Sequence, residues 1–276
     1  MNHPDGRKVL FLGDYIDRGP AIRAVLETVR GMVESGDALA LMGNHEYNAV
    51  LYATPDGNGS HLKEHSARNT KTHRATLEQF ANRTAEWADW LEWMRGLPMF
   101  LDLGGLRAVH ACWDARRIAR LAGTSLKDAS FLRASAMKQT PEHRAVENVL
   151  KGPEMEMPEG AHFHDKEGTA RRTVRVRWWD IPAQAHVCAL AMPEPFDTPG
   201  LARPHELRRL PCYAVDDVPV FCGHYWLPAQ KLKAPLAPNI ACLDYSGGLH
   251  GPLVAYRWDG ERVLSAEKFV SVSLPA

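Results

Sequence analysis

Hydrophobic positions fall into blocks that alternate between short apolar runs and helical repeats, and most of the short runs stop at glycine and polar residues. Val9-Leu10-Phe11-Leu12 is the first run, rich in β-preferring side chains, and it halts at Gly13, with Asp14, Asp17 and Arg18 close behind. It reads as a buried strand that delivers polar side chains from its C-terminal end. Beyond Pro20, placed where a helix can begin, Ile22, Val25, Leu26, Val29, Met32 and Val33 fall at helical spacing, and Gly36 closes the segment as a cap. Ala38-Leu39-Ala40-Leu41-Met42 is a second short strand, followed directly by Gly43-Asn44-His45-Glu46. Strand, helix and strand in so short a span predict a right-handed crossover with parallel strands, which brings Asp14 and Asn44 to one sheet edge. Ligand chemistry in open α/β sheets collects at that edge.

Residues 52–72 are rich in Gly, Asn, Ser, His and Lys without periodicity, so they read as a loop. His61, His65 and His73 in or near it read as solvent-exposed histidines, the alternative being that one contacts substrate. From Leu77 the spacing of Phe80, Trp87, Leu91 and Met94, with Trp90 and Trp93 beside them, predicts one or two helices whose tryptophans pack a core. Residues 100–109 predict a β-hairpin around Gly104-Gly105, its second strand running into His110-Ala111-Cys112-Trp113-Asp114.

Between Asp114 and Asp217 the pattern is less regular. Ile118, Leu121, Leu126, Phe131 and Leu132 suggest helix, residues 151–160 form a Pro-, Glu- and Met-rich connection, and from Arg171 to Trp179 valine alternates with arginine as in a strand with one basic face. Those arginines, Arg175 and Arg177 among them, either bind substrate or line an exposed face. Pro219-Val220-Phe221-Cys222 is a brief strand capped by Gly223-His224-Tyr225-Trp226. Residues 240–246 and 253–258, joined through Gly247, Gly248 and Gly251, predict an antiparallel hairpin, and with the turn at Asp259-Gly260 the tail reads as a β-meander.

A chain of 276 residues accommodates one large domain, or a domain with a sizeable insertion. Its 33 basic and 33 acidic residues balance, which argues against a nucleic-acid footprint and a polybasic membrane anchor. No apolar run approaches bilayer length, and residues 1–8 contain no hydrophobic signal region. Five scattered cysteines without a CxxC pair argue against a disulfide framework or structural zinc site and predict a reducing, cytoplasmic setting.

The candidate chemistry sits at the strand ends. Two carboxylates as close as Asp14 and Asp17 need positive charge nearby, from Arg18 or a metal ion; the alternative is a strand-to-helix turn with Asp17 as helix cap. Four apolar strands end in Gly-Asp, Gly-Asn-His, His-Ala and Gly-His, offering Asp14, Asn44, His110 and His224 as one carboxylate, one amide oxygen and two imidazoles. This mixed set suits a borderline divalent cation such as Mn, Fe or Zn better than Ca or Mg.

Gly13-Asp14-Tyr15-Ile16-Asp17-Arg18-Gly19, Gly43-Asn44-His45-Glu46, His110-Ala111 and Gly223-His224 together resemble the calcineurin-like metallophosphoesterases, on the branch of the PPP-type protein phosphatases and symmetrical diadenosine tetraphosphatases. The resemblance covers residues 8 to about 114 and 219 to 258. It implies an α/β fold, a β-sandwich flanked by helices in α/β/β/α layers. One domain over residues 1–276 would carry an insertion or cap at about 115–217. It further implies that Asp14 bridges two metals, with Asn44, His110 and His224 completing the second site. His45 would protonate the leaving group, oriented by Asp17, and Arg18 would hold phosphoryl oxygens; Arg175 and Arg177 are substrate-binding candidates from the residue pattern alone.

The family's opening Asp-x-His is missing ahead of Asp14; His3 and Asp5 stand in the wrong order. The expectation is therefore a truncated or misassigned start that lacks the first strand, an impaired first metal site, and one bound cation, manganese before iron or zinc. The expected activity, poor in the chain as it stands, is hydrolysis of phosphate esters or nucleotide anhydrides by metal-activated water. A phosphorylated small molecule, nucleotide or phosphoprotein would be the substrate. The alternative is a non-catalytic phosphate-binding or regulatory protein on the same scaffold, which would have no need of His45 as an acid.

Overall fold

Short strands with polar tips form because each strand is only as long as its apolar run. The computed structural model of the chain describes residues 6–158, 161–164, 170–195 and 202–273. Strand β1 (Val9–Phe11) pairs in parallel with β2 (Ala38–Ala40), Val9 opposite Ala38 and Phe11 opposite Ala40. Helix α1 (Ile22–Glu34) makes the crossover and buries Ile22, Leu26 and Val29. This is the predicted parallel unit, and it places the residues after β1 and β2 side by side.

Residues 52–72 depart from the loop reading. Helix α2 (Asn44–Ala53) extends into them, and α3 (Ala67–Gln79) begins after Ser66, whose hydroxyl accepts from the Asn69 amide. Helix α3 carries no hydrophobic stripe because the residues it buries are His73 and Thr76, so its inward face is polar. Helix α4 (Thr84–Arg95) follows with Trp90 and Met94 buried. Strands β3 (Phe100–Asp102) and β4 (Arg107–Val109) form the predicted hairpin.

The helical stretch beyond Asp114 divides into α5 (Ala115–Leu121) and α6 (Ala129–Ala136), capped by the Asp114 and Asp128 carboxylates. A further helix, α7 (Pro141–Lys151), buries Ala145, Val146, Val149 and Leu150. The connection at 151–160 contains strand β5 (Glu154–Glu156). After it come β6 (Phe163–His164), paired with β7 (Ala170–Arg171), and β8 (Thr173–Arg175), paired with β5. The single Arg/Val strand expected over 171–179 is therefore two shorter ones. Val174 and Val176 face inward with Met155 and Leu190 in a second apolar cluster, which also takes Leu207 of α8 (Pro204–Leu207).

Strand β9 (Val220–Cys222) lies between β4 and β10 (Ile240–Cys242), parallel to both, giving the order β10-β9-β4-β3. The antiparallel hairpin predicted between residues 240–246 and 253–258 is not formed, and the tail is not a simple meander. Instead β11 (Leu253–Tyr256) pairs with β12 (Phe269–Val272) as a separate two-stranded sheet. Alternation explains the layering. Val220, Cys222, Ile240 and Cys242 face the main core with the helices, whereas Phe221 and Ala241 face a cluster that Tyr256, Trp258 and Phe269 cover from outside. No helix among the described residues is long and apolar enough to cross a membrane.

Trp178 joins the second cluster's segment to the main core. Its ring is fully buried, and its indole N–H donates to the Ala111 carbonyl at 3.0 Å, directly after His110. We expect Trp178→Ala to lower stability by about 3–5 kcal/mol, read as a fall in the urea midpoint; a fall below about 1 kcal/mol would show that the ring is not a core anchor.

Candidate active site

The chain crosses itself closely where β1 and β2 end, and glycine makes this possible. Gly13 has a φ of 100°, and a Cβ there would stand 2.5 Å from the Gly43 amide nitrogen and 2.8 Å from His110 Nδ1. Next to it Asp14 and Asp17 take left-handed backbone angles, φ 62° and 71°, as do His224 at 68° and Trp226 at 52° after β9. Such angles in non-glycine residues store strain and cluster at functional tips. Asp17 does not cap α1; Ala21 stands at that position.

Glu46 fastens the two tips together. Its buried carboxylate accepts from the backbone N–H of Asp14 and Gly43, both at 2.8 Å, and of Tyr15 at 2.7 Å. Burial and the Asp14 charge push its carboxyl up to about 7, while these donors pull the other way. The same fastening aims the N-terminus of α2 at Asp14, whose Oδ1 lies 3.3 Å from the His45 amide.

Asp14, Asn44, His110 and His224 converge. His110 Nδ1 lies 2.6 Å from the Leu12 carbonyl, to which it must donate, so Nε2 is the nitrogen turned inward. That Nε2 is 3.1 Å from Asn44 Oδ1 and 3.3 Å from Asp14 Oδ1. His224 Nδ1 is 2.7 Å from the same Asn44 oxygen, and its buried Nε2 has no hydrogen-bond partner among the described residues. Ligand atoms of Asp14, His110 and His224 all lie within 4.8 Å of one another. The donor set fits a divalent cation: a carboxylate, an amide oxygen and two imidazoles turn toward one point, where a cation would take the place of the protons that otherwise join them.

The electrostatics show how strongly this point demands positive charge. Burial opposes charge on Asp14, yet His110, His45 and His224 outweigh it and hold the carboxyl well below the usual carboxylate range. Burial likewise disfavours charge on His110, but the Asp14 carboxylate and the Leu12 carbonyl push its pKa up to about 9. His224 goes the other way, driven well down by burial, by Arg175 and by His110.

Beside the donors lies a buried array built on Asp17. Its Oδ2 is 2.7 Å from His45 Nδ1, and its Oδ1 is 2.5 Å from His73 Nδ1 and accepts from the Thr76 hydroxyl at 2.7 Å. The Asp17 amide donates back to that hydroxyl at 2.9 Å. Burial would raise Asp17, but the bonds to His45 and His73 bring it down to about 2. His45 is raised, since Asp14 and Asp17 prevail over burial.

His73 thus corrects the exposed-loop reading: it is buried on α3 and bonded to Asp17. The sequence carried a usable sign, since His73 and Thr76 are three apart and share one helix face. Glu46 had one too, standing three residues after the helix-capping Gly43. Asp244, which accepts from the Trp226 and Ser246 amides at 3.0 and 2.9 Å and so shapes the turn after His224, had none.

The Arg18 guanidinium stacks over the Trp226 ring, 3.7 Å from its centroid. Arg175, on β8, stands near enough for its charge to act on His224. Arg177 points to Asp180, 3.7 Å from its carboxylate. His61 and His65 stack on each other at 4.0 Å, away from the donors, and His3 and Asp5 lie outside the described residues.

Fold and site together define an α/β phosphoesterase. The model of the calcineurin-like phosphoesterase family matches residues 2–144, and the chain belongs to that family. A symmetrical bis(5'-nucleosyl)-tetraphosphatase of Aromatoleum aromaticum is 28% identical over 279 residues, covering 94% of this chain and 86% of that protein. Asymmetrical bis(5'-nucleosyl)-tetraphosphatases (PrpE) of Anoxybacillus flavithermus and a Geobacillus species are 46% and 49% identical over 43 residues, 16% of this chain and 18% of each relative.

Proposed function

We propose that the chain hydrolyses phosphoanhydrides of nucleotides, dinucleoside polyphosphates above all, and phosphate monoesters more slowly, with one divalent cation held by Asp14, Asn44, His110 and His224. Manganese is the first candidate, iron and zinc the others. The observation that supports this most is the convergence of those four donors beside the buried pair of His45 and Asp17. A cation in that position supplies a water of lowered pKa and neutralises phosphoryl charge.

The chain's own residues do the rest. Asp17 accepts from His45 Nδ1, which orients the ring and favours its protonated form, so its other nitrogen can give a proton to the departing oxygen. The Arg18 guanidinium, over the Trp226 ring, holds phosphoryl oxygens, with Arg175 and Arg177 as further cationic candidates from the sequence pattern. The domain is read as single, with residues 115–217 inserted; part of that insertion carries its own apolar cluster. Five free cysteines suit a reducing, cytoplasmic setting.

A regulatory phosphate binder would need no leaving-group acid, and the extensively bonded Asp17 array favours turnover. With Mn²⁺ the purified chain is expected to hydrolyse p-nitrophenyl phosphate, to prefer diadenosine tetraphosphate over phosphopeptides and nucleoside monophosphates, and to lose all activity in EDTA. Tight Mn²⁺ binding without turnover of any of these would select the regulatory reading.

A further inference from the structure

Helix α3 turns three polar side chains, His73, Thr76 and Gln79, toward the segment that carries Asp17, each one turn from the next. His73 and Thr76 are buried, and a buried imidazole or hydroxyl costs free energy unless it is hydrogen-bonded. Both bond to one carboxylate oxygen. Asp17 Oδ1 lies 2.5 Å from His73 Nδ1 and accepts from the Thr76 hydroxyl at 2.7 Å. The Asp17 amide donates to the Thr76 oxygen at 2.9 Å, so side chain and backbone are gripped together. Gln79 Oε1 accepts from the Ile22 amide at 2.8 Å, which ties the far end of the same segment to α3.

His73 itself has little room to move. Its ring, 5% exposed, packs on those of Tyr52 and Trp87, with centroids 5.2 and 5.8 Å away. Asp17 holds a left-handed φ of 71°, a conformation that a non-glycine residue keeps only where its surroundings impose it. Helix α3 supplies that constraint.

What the grip fixes is a plane. The terminal torsion of an aspartate is broad, so a carboxylate held through a single oxygen can turn. Two donors on Oδ1 set the plane, and Oδ2 then meets His45 Nδ1 at 2.7 Å. We propose that His73 and Thr76 are positioning residues of the hydrolysis: by fixing the Asp17 carboxylate they fix the His45 ring, and with it the point that its other nitrogen faces. Both act through Asp17 rather than on substrate. The proposal rests on the hydrolase reading given above.

Three variants test it. His73→Phe keeps a ring and removes the donor, His73→Asn restores an N–H near the place of Nδ1, and Thr76→Val removes only the hydroxyl. With Mn²⁺, His73→Phe and Thr76→Val are expected to lower kcat for an alkyl phosphate about 10- to 100-fold. The loss on p-nitrophenyl phosphate is smaller, and His73→Asn regains most of the activity. In a His45→Asn background the same substitutions cost nothing further, since the orientation of an absent imidazole cannot be lost. Equal losses on both esters, equal losses in both backgrounds, or an unchanged kcat would overturn the assignment.

A measurement independent of turnover follows the ring proton on His45 Nδ1 by NMR in EDTA, its signal identified by its loss in His45→Asn. His73→Phe and Thr76→Val are expected to shift that signal and to speed its exchange with water. A signal that keeps its place and its exchange rate in both variants would overturn the proposal, even in a chain that hydrolyses neither ester. A shifted signal in a chain without turnover supports the grip on His45 and counts against the hydrolase reading alone.

Discussion

Replacing His45 by asparagine is expected to lower kcat about 10²- to 10⁴-fold while bound Mn²⁺, measured by elemental analysis, stays the same. The imidazole sits in the first turn of α2 with Nδ1 against Asp17, and the side chain is almost closed to solvent. Asparagine keeps a hydrogen-bonding group for Asp17 but has no proton to give. The loss should therefore scale with the leaving group's need for one. Cleavage that expels p-nitrophenolate, a weak base, loses least, and cleavage that expels an alkoxide loses most. Equal losses on both kinds of ester would show that His45 binds rather than protonates, and an unchanged kcat would remove it from the reaction.

Replacing His110 by alanine is the second large effect. Loss of an outer partner of a metal site costs up to about 100-fold in affinity, and removal of a donor itself is expected to exceed that. His110 also ties two tips together, since its Nδ1 holds the Leu12 carbonyl while Nε2 faces Asn44 and Asp14. Thermal unfolding separates the roles. A ligand at 100 times its Kd stabilises a folded protein by about 2.7 kcal/mol, so Mn²⁺ should raise the Tm of the unaltered chain and leave that of His110→Ala nearly unmoved. An equal Mn²⁺-induced rise in both proteins would place the cation elsewhere.

The polar tips were legible because each is a local event, an apolar run cut short by glycine and then by residues that strands ordinarily avoid. The crossover from β1 through α1 to β2 was legible for the same reason, its three elements being adjacent in the chain. What stayed hidden was polar burial and long-range pairing. Helix α3 sends histidine and threonine inward, so no hydrophobic period announces it, and with it went His73. Strand β10 pairs with β9 rather than with β11, because partner choice is made by the sheet and not by the glycines that lie between. Asp244 belongs to that same misread stretch, and its support of the turn at Trp226 could be seen only once β10 lay beside β9.

The order of the donors along the polypeptide has a consequence for biosynthesis. Asp14, Asn44 and His110 leave the ribosome early, but His224 rides on the turn after β9, and β9 must insert between β4 and β10 before the set is complete. Closures between such distant parts of a chain are slow. On the proposed function, a nascent chain would gain activity only once the C-terminal strands dock, and through that interval the open edge of β4 is the place where one growing polypeptide can pair wrongly with another.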